Sequence, residues 1–190
     1  MPMFHTFAEY YDKSHPVTLL VLLVLSFYFI AVNWIFFYRL FSLNQWIAAE
    51  NQSLESVLLG AYKIPDFAYL SHFTKSSSKL SPSLFDMATY SATKEATKGL
   101  VLLSIIASTT PFIGLFGTVV SILGTFEHIG QASGTMNIIA SGVSDALVAT
   151  ASGIFVAIFA YTYHQILKRK AFELTGLIRM QGDALLSKDV

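Results

Sequence analysis

Between Val17 and Tyr38 the chain reads VTLLVLLVLSFYFIAVNWIFFY, 22 residues without a formal charge. At helical rise this run reaches about 33 Å, enough to cross the hydrocarbon core of a bilayer. It is apolar on every face, which a helix of a soluble bundle is not. It is also too long for a cleaved leader, has only Lys13 as a basic residue before it, and is followed by no A-x-A-like site. A retained membrane anchor is the reading. Two further stretches have the same character. Gly99 to Phe126 carries no charge, and Ile138 to Leu167 carries only Asp145 and His164. The third stretch, about 45 Å long as a helix, should be tilted or should project beyond the bilayer.

The whole composition agrees with this. Charged residues are 13% of the 190 residues and apolar ones 54%, against about 25% charged in an ordinary soluble domain. That excludes a disordered chain and speaks against a soluble enzyme. Twelve basic and twelve acidic residues cancel, which excludes a strongly basic nucleic-acid binder. No cysteine is present, so there is no disulfide framework, thiolate metal site or thiol nucleophile. With no phosphate-binding glycine loop, H-E-x-x-H or nucleophile elbow in the sequence, no catalytic residue, metal or cofactor is expected.

Lysine and arginine set the expected orientation. Arg39, Lys63, Lys75, Lys79, Lys94 and Lys98 fall between spans one and two, and Lys168, Arg169, Lys170, Arg179 and Lys188 follow span three. The positive-inside rule then puts the amino terminus outside and the two basic regions in the cytoplasm. Trp34, Tyr38 and Trp46 suit the cytoplasmic interface, and His164 reads as an interface residue. The expected order is an outer segment (1–16), span one (17–39), a cytoplasmic helical region (40–98), span two (99–126), a short outer loop (127–137), span three (138–167) and a tail (168–190). Pro65 and Pro82 mark breaks, Thr74 to Ser83 reads as a loop, and helix resumes around Leu84. The fold class is thus an all-α integral membrane protein with three transmembrane helices. Spans two and three should extend into the cytoplasmic region as a helical stalk.

Spans two and three are not plain anchors. Thr110, Gly114, Thr118, Ser121 and Thr125 fall on one helical face of span two. Such a stripe serves close helix packing, and Gly114, Gly117 and Gly124 suit that role. For Thr118 packing and pore lining are equal readings. Pro111 removes one backbone donor and should free the carbonyl of Ala107, making it a hinge candidate. Span three opens with the small-residue segment ASGVSDALVATASG, in which Ser141, Asp145, Ala149 and Ser152 share a face. A carboxylate there costs about 2.5–3.5 kcal/mol if it meets lipid, and by default marks an ion path. The alternative is a structural acid at the outer interface, bonded to Ser141 or Ser144. Thr150 lies about 140° round the helix from Asp145, so the two can border a wide cavity but not a narrow stripe.

TTPFIGLFGTV (Thr109–Val119) and GVSDALVATASGIFVAI (Gly142–Ile158) resemble the two signature helices of the ExbB, TolQ and MotA proton-channel family, most closely its ExbB/TolQ branch. The resemblance extends to the three-span topology. It implies a pentamer whose second and third helices line a lumen holding a dimeric single-span partner, ExbD or TolR. It also implies proton-driven motion passed to a TonB- or TolA-like protein, in the bacterial inner membrane. The family's lumen threonines fall on Thr118 and Thr150, and its span-three acid, usually Glu, on Asp145. The short tail leans the choice between ExbB and TolQ toward TolQ. A MotA-like flagellar stator fits less well, since stators usually have four spans and a larger, charge-rich cytoplasmic domain. A scaffold whose small residues serve packing alone is the alternative from another class.

Overall fold

The computed structural model describes residues 16–60, 64–75, 81–131 and 136–187. These form five helices: α1 (Pro16–Leu58), α2 (Tyr69–Thr74), α3 (Pro82–Ala96), α4 (Leu100–Gln131) and α5 (Met136–Leu186), with no strand among the described residues. Three segments are long and apolar enough to cross a membrane: Pro16–Leu58, Leu100–Phe126 and Ile139–Leu186. The chain is an all-α, multi-pass membrane protein.

The helix of span one does not stop near Arg39 but runs on to Leu58. No Gly or Pro interrupts residues 40–58, and Leu43, Ile47, Glu50, Ser53 and Val57 recur at helical spacing as its buried face. Gly60 ends it, with φ +105° and its N–H bonded to the Val57 carbonyl; that left-handed conformation is one a side chain resists. Gly99 (φ +83°) makes the other break, between α3 and α4. Without it the two would read as one helix into span two. Between spans two and three α4 reaches Gln131 and α5 starts at Met136, so helix enters the expected 127–137 loop from both sides; residues 132–135 lie outside the described ones, as do 1–15. The expected loop at Thr74–Ser83 lies between the end of α2 and the start of α3, and its residues 76–80 are also outside the described ones.

The contacts form two compact units, Met1–Asn33 with Leu102–Thr162, and Trp34–Val101 with Tyr163–Val190. In the first, α1, α4 and α5 pack around Val21, Leu25, Ile106, Ala146, Ala149 and Val156. The Phe29 ring meets those of Phe155 and Phe159 at 5.6 and 5.4 Å between centroids.

In the second unit α5 buries Leu167, Ala171, Leu174, Ile178, Gln181 and Leu185, steps of four and three that keep one face inward. Phe36 stacks on Tyr163, 3.8 Å between centroids. Helix α3 starts at an N-cap, where Ser81 accepts from the Leu84 N–H at 3.3 Å and Pro82 takes the first helical position. At its other end the Arg39 guanidinium donates to the carbonyls of Glu95 and Ala96, both at 2.8 Å. A cation at those orphan carbonyls also suits the helix dipole.

Candidate functional site

In the first unit α4 and α5 run antiparallel at backbone contact. A Cβ placed on Gly114 would lie 2.7 Å from the Ala149 carbonyl oxygen, and one on Gly153 2.6 Å from that of Thr110. A Cβ on Gly117 would meet the Ala149 methyl and Val21 of α1, both at 3.1 Å. Only glycine allows this approach, which is how small residues drive association where the surrounding lipid is as apolar as the helices.

The buried seam of α4 is Thr110, Gly114, Gly117, Ser121 and Gly124, in steps of four and three. Thr118 and Thr125 lie half-buried at its flank rather than at its centre. The facing seam of α5 is Gly142, Ala146, Ala149 and Gly153, with the same steps and only small side chains. Gly153, which the sequence reading did not single out, is the partner of Gly114; its eleven-residue spacing from Gly142 was the available signal.

Beside the glycine contact the hydroxyls of Thr118 and Thr150 are hydrogen-bonded to each other across the two helices. Thr118 Oγ1 also donates to the Ala146 carbonyl at 2.9 Å, and Thr150 Oγ1 reaches the Gly114 carbonyl at 3.4 Å. A hydroxyl rotor both donates and accepts, so the pair can pass a hydrogen bond between helices without a fixed charge. One turn further along α4, Ser121 donates to the Gly142 carbonyl at 3.2 Å, and a Cβ on Gly142 would collide with Thr125, whose Cγ2 would be 2.8 Å away. Thr110 is buried but bonds within its own helix, to the Ile106 carbonyl at 2.9 Å. Helix α4 continues through Pro111.

The other expected residues are not part of this cluster. Ser152 borders a groove of about 580 Å³ against α1, with Leu25, Ser26, Phe29 and Phe155. Ser141 is exposed. Asp145 is half-buried and makes no hydrogen bond or ion pair among the described residues. Thr18 on α1 is 0% exposed, and its hydroxyl has no partner among the described residues. Among those residues no group of three His, Asp or Glu could hold a metal.

A sequence profile of the MotA/TolQ/ExbB proton channel family matches residues 66–180, more than half of the chain and both faces of the α4–α5 contact. The chain belongs to that family. An ExbB-like biopolymer transport protein of Helicobacter pylori strain J99 is 41% identical over 188 residues, 98% of this chain and all of that protein. The biopolymer transport protein ExbB of Neisseria gonorrhoeae is 48% identical over 79 residues, 40% of this chain and 36% of that one. The ExbB of Aquifex aeolicus is 44% identical over 82 residues, 42% of this chain and 55% of that one. These relatives place the chain in the ExbB branch and correct the lean toward TolQ, which rested on tail length alone. Tail length is a weak discriminator because the tail is not a separate segment: it continues α5 to Leu186, with Ala171, Leu174, Ile178 and Leu185 buried. The chain is an ExbB-type membrane subunit.

Proposed function

We propose that this ExbB-type subunit is the proton-channel subunit of an inner-membrane energy-transducing complex and passes the proton motive force to a TonB-like protein. Asp145 is the observation that carries the reading. It stands in an apolar span, half-buried, with no side-chain partner among the described residues. A carboxylate facing lipid is too costly at membrane depth, so its polar surroundings come from other chains: copies of this one, and a single-span ExbD-like partner. The pentamer that the family resemblance implies would supply them. The Thr118–Thr150 pair then borders the same lumen and offers hydroxyls to water or a passing proton. A proton moving inward releases about 2.3 kcal/mol per 100 mV, the energy that the complex converts to motion. The distribution of Lys and Arg supports an outer amino terminus, with residues 40–98 and the tail in the cytoplasm.

The test is proton uptake by liposomes containing the complex purified with its partner, wild type against Asp145→Asn. Asn keeps shape and hydrogen bonding but carries no titratable charge. The expected result is a large loss of flux and of energy transduction, with the oligomer intact by native mass spectrometry. Unchanged flux and transduction would refute the channel role and favour a packing scaffold. Loss of assembly would assign Asp145 to structure.

A further inference from the structure

The second unit holds an acid that the proton-path reading does not use. Glu50, on α1, is 0% exposed. Among the described residues its carboxylate accepts three hydrogen bonds, all from N–H donors. Its Oε1 accepts from Trp46 Nε1 at 3.2 Å and from the backbone N–H of Tyr69 at 2.8 Å, and its Oε2 accepts from Gln181 Nε2 at 2.9 Å. The Gln181 amide is oriented by two other bonds: Nε2 also donates to the Glu50 carbonyl at 2.9 Å, and Oε1 accepts from Ser53 at 3.2 Å. Three segments therefore converge on one carboxylate: α1, the first residue of α2, and the last turns of α5.

Helix α2 needs such an anchor. It has six residues, too short to hold itself together. Its N-cap position is Ala68, whose side chain can accept nothing. Glu50 supplies from another helix an acceptor for the first of the orphan N–H groups of α2, that of Tyr69. Helix α3 is independent of it, with its own cap at Ser81 and Arg39 on its terminal carbonyls.

We propose that Glu50 is a carboxylate clamp: it locks α5 to α1 and is the anchor of α2, which makes α2 a releasable strap across the second unit. A Gln at position 50 cannot substitute, because either orientation of its amide turns an NH2 toward at least one N–H donor. Release of the strap uncovers Trp46 and Ser91, which Tyr69 covers through a ring contact at 5.2 Å and a hydroxyl bond at 2.9 Å. The proposal is independent of the proton-path reading and stands or falls without any flux measurement.

The experiment is hydrogen exchange by mass spectrometry on the full chain in lipid nanodiscs. In Glu50→Leu, which removes the acceptor from Tyr69 as well as from Gln181, the amides of 70–75 should exchange at least about tenfold faster, the scale of one lost hydrogen bond to a carboxylate, while those of 86–96 keep their protection. Unchanged exchange over 70–75, or equal loosening of α3, would overturn the clamp. A second pair decides if that variant does not fold. Tyr69→Ala and Tyr69→Pro both remove the ring, but only Pro removes the anchoring N–H. Pro is at home in a first helical position, and Ala68 (φ −77°, ψ 145°) already has the conformation a residue before Pro adopts. The clamp requires about tenfold faster exchange over 70–75 in the Pro variant than in the Ala variant. Equal rates would refute it.

Discussion

Substituting Gly114 by Ala tests the α4–α5 contact on which the candidate lumen depends. The new Cβ would sit 2.7 Å from the Ala149 carbonyl oxygen, 3.1 Å from Thr150 Cα and 3.2 Å from Gly153 Cα. All three obstacles are backbone, so no rotamer change relieves them. Restoring an ordinary 3.4 Å contact with the oxygen moves the helices apart by about 0.7 Å (3.4 minus 2.7). A full 0.7 Å shift would take the Thr150–Gly114 bond, already 3.4 Å, out of range and would stretch Thr118–Ala146 from 2.9 Å to about 3.6 Å, just past hydrogen-bond range. Overpacking costs about 1–3 kcal/mol and each lost hydrogen bond about 0.5–1.5 kcal/mol, so the expected loss is about 2–4 kcal/mol. The assay is equilibrium unfolding in mild detergent, with Gly176→Ala as the control. Gly176 lies on α5 with nothing within 4 Å of an added Cβ, and Ala there should stabilise by about 0.5–1 kcal/mol. Gly153→Ala should cost as much as Gly114→Ala, and the double variant less than the sum, because one separation of the helices accommodates both methyls. Wild-type stability for Gly114→Ala, or a larger loss for Gly176→Ala, would refute the close-contact argument.

Three other outcomes follow from particular contacts. A double-mutant cycle with Thr118→Val and Thr150→Val should give a coupling of about 0.5–1 kcal/mol in unfolding free energy, the range of interhelical hydrogen bonds in membranes; additivity would mean that the hydroxyl pair is not a bond. Arg39→Gln should cost about 1.5–3 kcal/mol by loss of both carbonyl contacts at the end of α3, with faster hydrogen exchange confined to residues 93–98, and a slow-exchanging α3 terminus in that variant would argue against the cap. Thr18→Val keeps shape and removes a buried hydroxyl without a partner among the described residues, so stability should be unchanged or higher by up to about 1 kcal/mol, whereas a loss would reveal a bond made by that hydroxyl.

Composition and run length were enough to give the membrane class and the three spans, because the absence of charge over more than twenty residues leaves a chain few other folds. The small, hydroxyl-bearing stripe of α4 was enough to mark Thr118 and the glycines, because such a stripe is unusual on a helix bathed in lipid, whereas Thr150 was marked through the family resemblance. Which members of that stripe sit at the contact was not readable from it. Gly117 and Gly124 rather than Thr118 and Thr125 occupy the centre of the α4 seam, a difference of one residue in register that depends on how α5 crosses it. Gly153 became meaningful only when the crossing placed it on Gly114.

The length of α1 could have been read from the unbroken run to Gly60, but its purpose could not. Glu50 in sequence is one polar residue among AAENQS and reads as solvated. Only the fold brings Trp46, Tyr69 and Gln181 around it, the last from 131 positions away. The sequence by itself determined the class, the spans and the chemistry that the helices carry, because hydropathy and helical periodicity act over neighbouring residues. The tertiary structure alone decided which glycines touch and which hydroxyls pair. It alone enclosed Glu50 and left Asp145 without a side-chain partner among the described residues, because these are facts about distances between segments that the order of residues does not contain.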